Sequence, residues 1–97
     1  REDQQDVANQ LFSSYSRVID ARALASVIGE EELSDTDRLY MKFGVAFENE
    51  FICQMDYENR SITDTLDTGW KLLRMLPREE LDRIDTKILD KYYSVEN

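Results

Sequence analysis

The densest group of chemically active side chains in this sequence is a run of carboxylates between residues 30 and 37. Its five acids are Glu30, Glu31, Glu32, Asp35 and Asp37. Carboxylates favour the positive end of a helix dipole, so the run suits a solvated helix start. Five like charges in so short a run also repel one another more than capping requires, and such a field suits contact with a basic partner. The residues leave both interpretations open.

The sequence lacks the residues that most catalytic mechanisms use. The chain has no His, hence no Ser–His or Cys–His pair, and it has no glycine-rich phosphate loop. Cys53 is the single cysteine, so the sequence offers no internal disulfide and suits a reducing compartment. We expect Cys53 to pack within an amphipathic helix rather than to act as a nucleophile. A small enzyme built on Asp and Glu pairs remains an alternative, which the lack of a metal-ligand cluster disfavours.

Two further motifs are incomplete. The stretch from Asp56 to Asp67 places carboxylates at alternate positions as a calcium loop does, but Arg60 replaces a ligand and Ser61 replaces the required glycine. Asn59, Arg60 and Ser61 also form a glycosylation sequon. In a chain without a secretory signal we interpret it as a turn and helix cap. We therefore predict no metal site and no cofactor site in this chain.

Composition indicates one small helical domain with an acidic surface. Of 97 residues, 41% are hydrophobic, and the chain has one Pro and three Gly, which favours helices over sheet turns. Its 21 acidic and 12 basic residues give a net charge of −9, which disfavours nucleic acid and anionic membranes as partners. No apolar stretch approaches the ~20 residues of a membrane span. The polar N-terminus lacks an initiating Met, so we expect a piece of a longer chain without a signal peptide.

One helix organises the rest of the sequence. Ser61 is a good N-cap, and Pro77 is expected to end the helix because it lacks an N–H and its ring clashes with the preceding turn. Between them, apolar residues at helical spacing predict one buried face: Ile62, Leu66, Gly69, Trp70, Leu73 and Leu76. Gly69 indicates that another segment packs closely there, since a mid-helix glycine costs about 1 kcal/mol relative to Ala.

Two helices are predicted at the start of the chain. Residues 3–17 form the first, with one apolar stripe made of Ala8, Leu11, Phe12 and Tyr15. Asp20 is expected to cap a short second helix that ends at Gly29. Its inward-facing residues are predicted to be Leu24, Val27 and Ile28.

Two more helices flank the Ser61 helix. Residues 34–54, capped by Ser34, form the longest one, with a core stripe of Tyr40, Phe43, Ala46, Phe47 and Phe51. Asp85 is expected to cap a last helix that carries Ile88, Leu89 and Tyr92. Long helices joined by a short turn pack side by side, so we predict an all-α fold, a small antiparallel bundle of four to six helices. Its predicted core contains Phe43, Phe47, Phe51, Leu66, Trp70 and Leu73.

The Ser61 helix and its flanks also carry a resemblance to a known family. The run from Glu58 to Ile84 contains ENR-S-I, then TLD-T-GW-K-LL, then LP and RI. Matching motifs lie at residues 1–3, 7–11 and 27–31, so the similarity covers nearly the whole chain. In these motifs the chain resembles the C-terminal region of the non-catalytic B subunit of archaeal-type and vacuolar-type rotary ATPases.

This resemblance implies a function for residues 1–97 as the helical C-terminal domain of a non-catalytic B subunit. The nucleotide-binding domain, and the arginine that the B subunit supplies to the catalytic interface, would lie N-terminal to it; Arg1 is not that arginine. We therefore expect no catalysis by the chain itself, with ATP or ADP bound only at the parent subunit interface. The expected partners are the catalytic A subunit, in an alternating hexamer, and the central stalk subunits. The complex would lie at the cytoplasmic face of a membrane and move protons or sodium ions.

The resemblance also bears on the run of carboxylates between Glu30 and Asp37. In position and character it resembles the acidic segment by which the catalytic subunits of related rotary ATPases touch their rotor. These five acids are therefore candidate partner contacts. A free-standing acidic helical adaptor domain remains the alternative function.

Overall fold

Four α-helices make up most of the described part of the chain, which comprises residues 2–53 and 61–93 of the computed structural model. They are α1 (Gln4–Ile28), α2 (Asp35–Phe47), α3 (Ile62–Leu73) and α4 (Thr86–Tyr92). The shorter elements are 3-10 turns at Glu30–Glu32 and Arg78–Glu80 and a π-helical segment at Glu48–Cys53. No strand occurs in these two ranges, and the predicted all-α class is confirmed.

Three helices begin at caps that the sequence predicts. The Oγ atoms of Ser34 and Ser61 each accept a hydrogen bond from the backbone N–H three residues later, at 3.1 and 3.0 Å. Asp85 Oδ1 accepts one from the backbone N–H two residues later, at 2.8 Å. Each cap satisfies an N–H that has no partner within its helix. Capping chemistry therefore fixes where α2, α3 and α4 begin.

The helix α1 is continuous over 25 residues, so the predicted division into a helix over residues 3–17 and a second helix capped by Asp20 is wrong. Asp20 lies exposed within α1 rather than capping a helix, because no Gly or Pro near it interrupts the hydrogen-bond ladder. Gly29 ends α1 as predicted. Its φ of 91° is one that residues with a side chain rarely adopt, and its N–H donates to Ala25 O at 2.8 Å.

The buried face of α1 differs from the predicted stripe. It consists of Val7, Gln10, Ser14, Val18 and Ala21. Of the predicted residues, Leu11 and Tyr15 are half-buried, whereas Ala8 is exposed and Phe12 is 77% exposed. The true core face thus includes two polar side chains that a search for apolar spacing passes over.

The C-terminal end of α1 is more exposed than predicted. Leu24 and Ile28 are each 42% exposed, and Val27 is 81% exposed, so these residues do not pack into the core. Val27 points about 140° away from the mean direction of the buried residues of α1. Ile28 lies seven residues after Ala21 and shares its side of the helix, so helix phase does not account for its exposure.

The aromatic stripe on α2 packs into the core as predicted. Tyr40, Phe43 and Phe51 are buried, and Ala46 and Phe47 pack against the core as half-buried residues. The α-helix ends at Phe47, and wider π-helical turns continue it to Cys53. The predicted helix is thus present to residue 53 with a change of hydrogen-bond pattern after Phe47, and residue 54 lies outside the described residues.

The helices α1 and α2 form an antiparallel hairpin with a close backbone approach. Tyr15 stacks on Phe47, with ring centroids 5.0 Å apart, while Val18 lies against Gly44. A later residue of α1 thus contacts an earlier residue of α2, which shows that the two helices run antiparallel. A Cβ at position 44 would lie only 2.3 Å from Val18 Cγ1, so the hairpin requires glycine there.

The helix α3 packs against the N-terminal half of α1. Its residues Leu66, Trp70 and Leu73 are buried. A Cβ at Gly69 would lie 3.0 Å from Val7 Cγ1, which confirms the close packing predicted at that glycine. Ile62 is 55% exposed, contrary to the prediction, because it lies one turn before Leu66, the first buried residue of α3.

The end of α3 lies one turn earlier than the apolar pattern predicts. The α-helix ends at Leu73, because the ring of Pro77 would clash with a carbonyl four residues before it. Leu76 is 1% exposed and belongs to the core from the following turn. In α4, Leu89 is buried, and the half-buried Tyr92 stacks on Trp70 with ring centroids 5.6 Å apart.

Polar contacts hold the segment before α4 against α1. Gln10 Oε1 accepts from the backbone N–H of Arg83 at 2.8 Å, and Gln10 Nε2 donates to Glu80 O at 3.4 Å. The backbone N–H of Asp85 donates to Asp6 Oδ2 at 3.0 Å. These contacts explain why a polar residue, Gln10, lies on the buried face of α1.

Several predictions concern residues outside the described ones. They are the turn at 55–60, the sequon at Asn59, the first part of the calcium-loop motif from Asp56, and the position of Arg1. The side chain of Cys53 also lies outside the described set.

Candidate functional site

The five predicted carboxylates lie together at the tip of the α1–α2 hairpin. Three of them make up the 3-10 turn Glu30–Glu32, and Asp35 and Asp37 belong to the first turn of α2. We call these five residues the acidic turn. Asp37 is half-buried and the other four are exposed.

The backbone of the acidic turn is held from both sides. Gly29 supplies the left-handed conformation before it, and Leu33, 5% exposed, anchors it to the protein interior. Arg38 Nη2 donates a hydrogen bond to the backbone oxygen of Glu31 at 2.7 Å. The turn therefore presents its carboxylates from a fixed backbone.

The carboxylates of the acidic turn form no ion pair within the described part of the chain. Arg22, Arg38 and Lys42 lie near Glu30 and Glu31 without pairing with them. A groove of about 560 Å³ borders the turn. Its lining comprises Arg22, Glu30, Glu31, Leu33, Arg38, Met41, Lys42 and Val45. Apolar and charged side chains thus meet beside the turn.

A charged network is centred on Glu48, and its member Arg22 also lines the groove beside the acidic turn. Arg22 donates two hydrogen bonds to the Glu48 carboxylate, both at 2.8 Å, and the Tyr15 hydroxyl donates a third at 2.5 Å. The hydrogen bonds from Arg22, and then that from Tyr15, lower the pKa of Glu48 to about 2. The same contacts raise the pKa of Arg22 and that of Tyr15 above their usual values. The network ties α1 to the π-helical segment.

A second network lies between α1, α2 and the turn Arg78–Glu80. The Tyr40 hydroxyl donates to Glu80 Oε1 at 2.7 Å, and Arg17 stands 4.7 Å above the Tyr40 ring. Burial, and then the bond to Glu80, raises the pKa of Tyr40. Both networks join residues more than 20 positions apart in the sequence, so no short sequence motif could have predicted these contacts. Their groups bond to one another, which gives them a structural role.

Residues 2–53 and 61–93 contain no group of three or more acidic, His or Cys residues able to hold a metal ion. No described helix is long and apolar enough to cross a membrane.

Comparison with known proteins establishes the family. Residues 1–93 match the family described as the C-terminal domain of V and A type ATP synthase. The chain belongs to this family. That match confirms the resemblance drawn from the motifs of the Ser61 helix, and it does not favour the free-standing adaptor.

Curated relatives agree with this family. Over 93 residues, 96% of this chain, it is 54% identical to the V-type ATP synthase beta chain of Thermotoga neapolitana and covers 20% of that protein. It is 53% identical to the V-type ATP synthase beta chain 2 of Treponema pallidum, covering 95% of this chain and 19% of that one. It is 50% identical to the B subunit of the A-type ATP synthase of Saccharolobus islandicus, covering 96% and 20%. The chain therefore spans about a fifth of the length of these relatives.

Proposed function

We propose that this chain is the helical C-terminal domain of the non-catalytic B subunit of a V/A-type ATP synthase. Family membership and relatives that are B or beta subunits support this role. The parent complex couples ATP synthesis or hydrolysis to the transport of protons or sodium ions. The domain works from the peripheral head of that complex, at the cytoplasmic face of the membrane, and its parent protein alternates with the catalytic A subunit.

In this role the domain is mechanical rather than catalytic. ATP or ADP binds at the subunit interface formed by other parts of the parent protein. The described residues give no nucleophile activated by a base, because the networks of Glu48 and Glu80 consist of groups that bond to one another.

The acidic turn is the part of the domain that we assign to contact with the central stalk. The observation that carries this assignment is a fixed backbone whose five exposed or half-exposed carboxylates lack ion pairs within the described chain. Clustered charge of one sign attracts a basic surface without demanding exact side-chain geometry. Such a contact tolerates a partner that moves past it.

Charge neutralisation tests this assignment. The variant carries Glu30→Gln, Glu31→Gln, Glu32→Gln, Asp35→Asn and Asp37→Asn, and its association with purified stalk subunits is measured by biolayer interferometry across salt concentrations. Screening beyond about 8 Å at physiological salt means that the loss should be larger at low salt than at high. The fold should persist, because the cap oxygen of Ser34 and the anchor Leu33 are unchanged.

A matched control places the same kind of substitution elsewhere. Glu50→Gln, Asp64→Asn and Glu79→Gln remove three acids from other surfaces of the domain. This control should bind the stalk subunits nearly as well as the parent chain. Equal binding by the neutralised acidic turn at every salt concentration would show that the turn is only a solvated helix start.

A further inference from the structure

We draw no further inference here: the strongest candidate, the exposed apolar face of α1 that carries Phe12, Ile19 and Val27, is a surface patch for which nothing in the described part of the chain shows what covers it.

Discussion

Asp3 and Trp70 are joined by a buried hydrogen bond, in which the indole Nε1–H donates to Asp3 Oδ2 at 2.6 Å. Asp3 is fully buried and Trp70 is 1% exposed. The bond connects the residue before α1 to the last turn of α3. A carboxylate acceptor makes such a bond stronger than one between neutral groups, and burial makes its loss costly. The start of the chain is thus fixed to the core through a polar group.

Removing the acceptor at residue 3 should destabilise the domain. We expect Asp3→Ala to cost about 1–3 kcal/mol of unfolding free energy, because the buried indole N–H is left without this acceptor. Asp3→Asn keeps an acceptor oxygen and should cost less. Urea unfolding followed by far-UV circular dichroism measures both losses, and a double-mutant cycle with Trp70→Phe isolates the contribution of the pair. Equal losses for Asp3→Ala and Asp3→Asn would argue that this bond does not matter.

The glycine between α1 and α2 should tolerate no side chain. Gly44→Ala places a Cβ 2.3 Å from Val18 Cγ1, and Val18 is fully buried and stiff at χ1. We expect a loss of about 1–3 kcal/mol from overpacking, which outweighs the gain of about 1 kcal/mol in helix propensity.

Gly69→Ala is the matched control for this substitution. Its Cβ would lie 3.0 Å from Val7 Cγ1, so a smaller shift relieves the contact and the loss should be smaller. Chemical denaturation of both variants shows which of them loses more unfolding free energy. A Gly44→Ala variant as stable as the parent chain would mean that the two helices separate easily.

Capping and aromatic spacing were sufficient to predict much of this fold. Ser34, Ser61 and Asp85 are local signals, since each cap bonds to an N–H two or three residues later. The stripe of α2 follows the helical period, and its aromatic residues outnumber the apolar pair Met41 and Val45, which lines the groove on another side of the helix. Exposure of the acidic turn could be expected for the same local reason, because clustered carboxylates resist burial.

Predictions of burial from the sequence failed where a residue's environment depends on distant parts of the chain. Phe12 and Val27 are as apolar as core residues, yet α1 turns Gln10 and Ser14 inward instead. Gln10 is buried because residues 80 and 83 supply its hydrogen-bond partners, more than 69 positions away. Gly44 carried the same mid-helix signal as Gly69 and would have predicted the α1–α2 contact.

The chain by itself should not bind nucleotide. Its sequence has no glycine-rich loop whose backbone N–H groups could hold phosphates, and its surface charge repels them. Calorimetric titration with Mg-ATP should therefore give no heat beyond dilution at micromolar protein. Binding in the micromolar range would contradict the mechanical role proposed for this domain.

The ion pair between Arg22 and Glu48 should appear in the acid stability of the domain. The pKa of Glu48 is lowered from 4.5 to about 2 in the folded chain, chiefly by the hydrogen bonds from Arg22. A carboxyl with a lowered pKa stabilises the fold above its unfolded pKa, and this contribution is lost as the pH falls through the folded value. The window thus runs from about pH 5 down to about pH 2.

Replacing Glu48 by Gln isolates this contribution. The carboxylate is 29% exposed, so solvent screening limits the expected effect to about 1 kcal/mol. Unfolding free energies of the parent and Glu48→Gln chains should differ fully at about pH 5 and above and converge toward about pH 2. Glu50→Gln serves as the control, because Glu50 forms no ion pair with a described side chain. A difference between parent and Glu48→Gln that stays constant across the window would exclude ionisation of Glu48 as its cause.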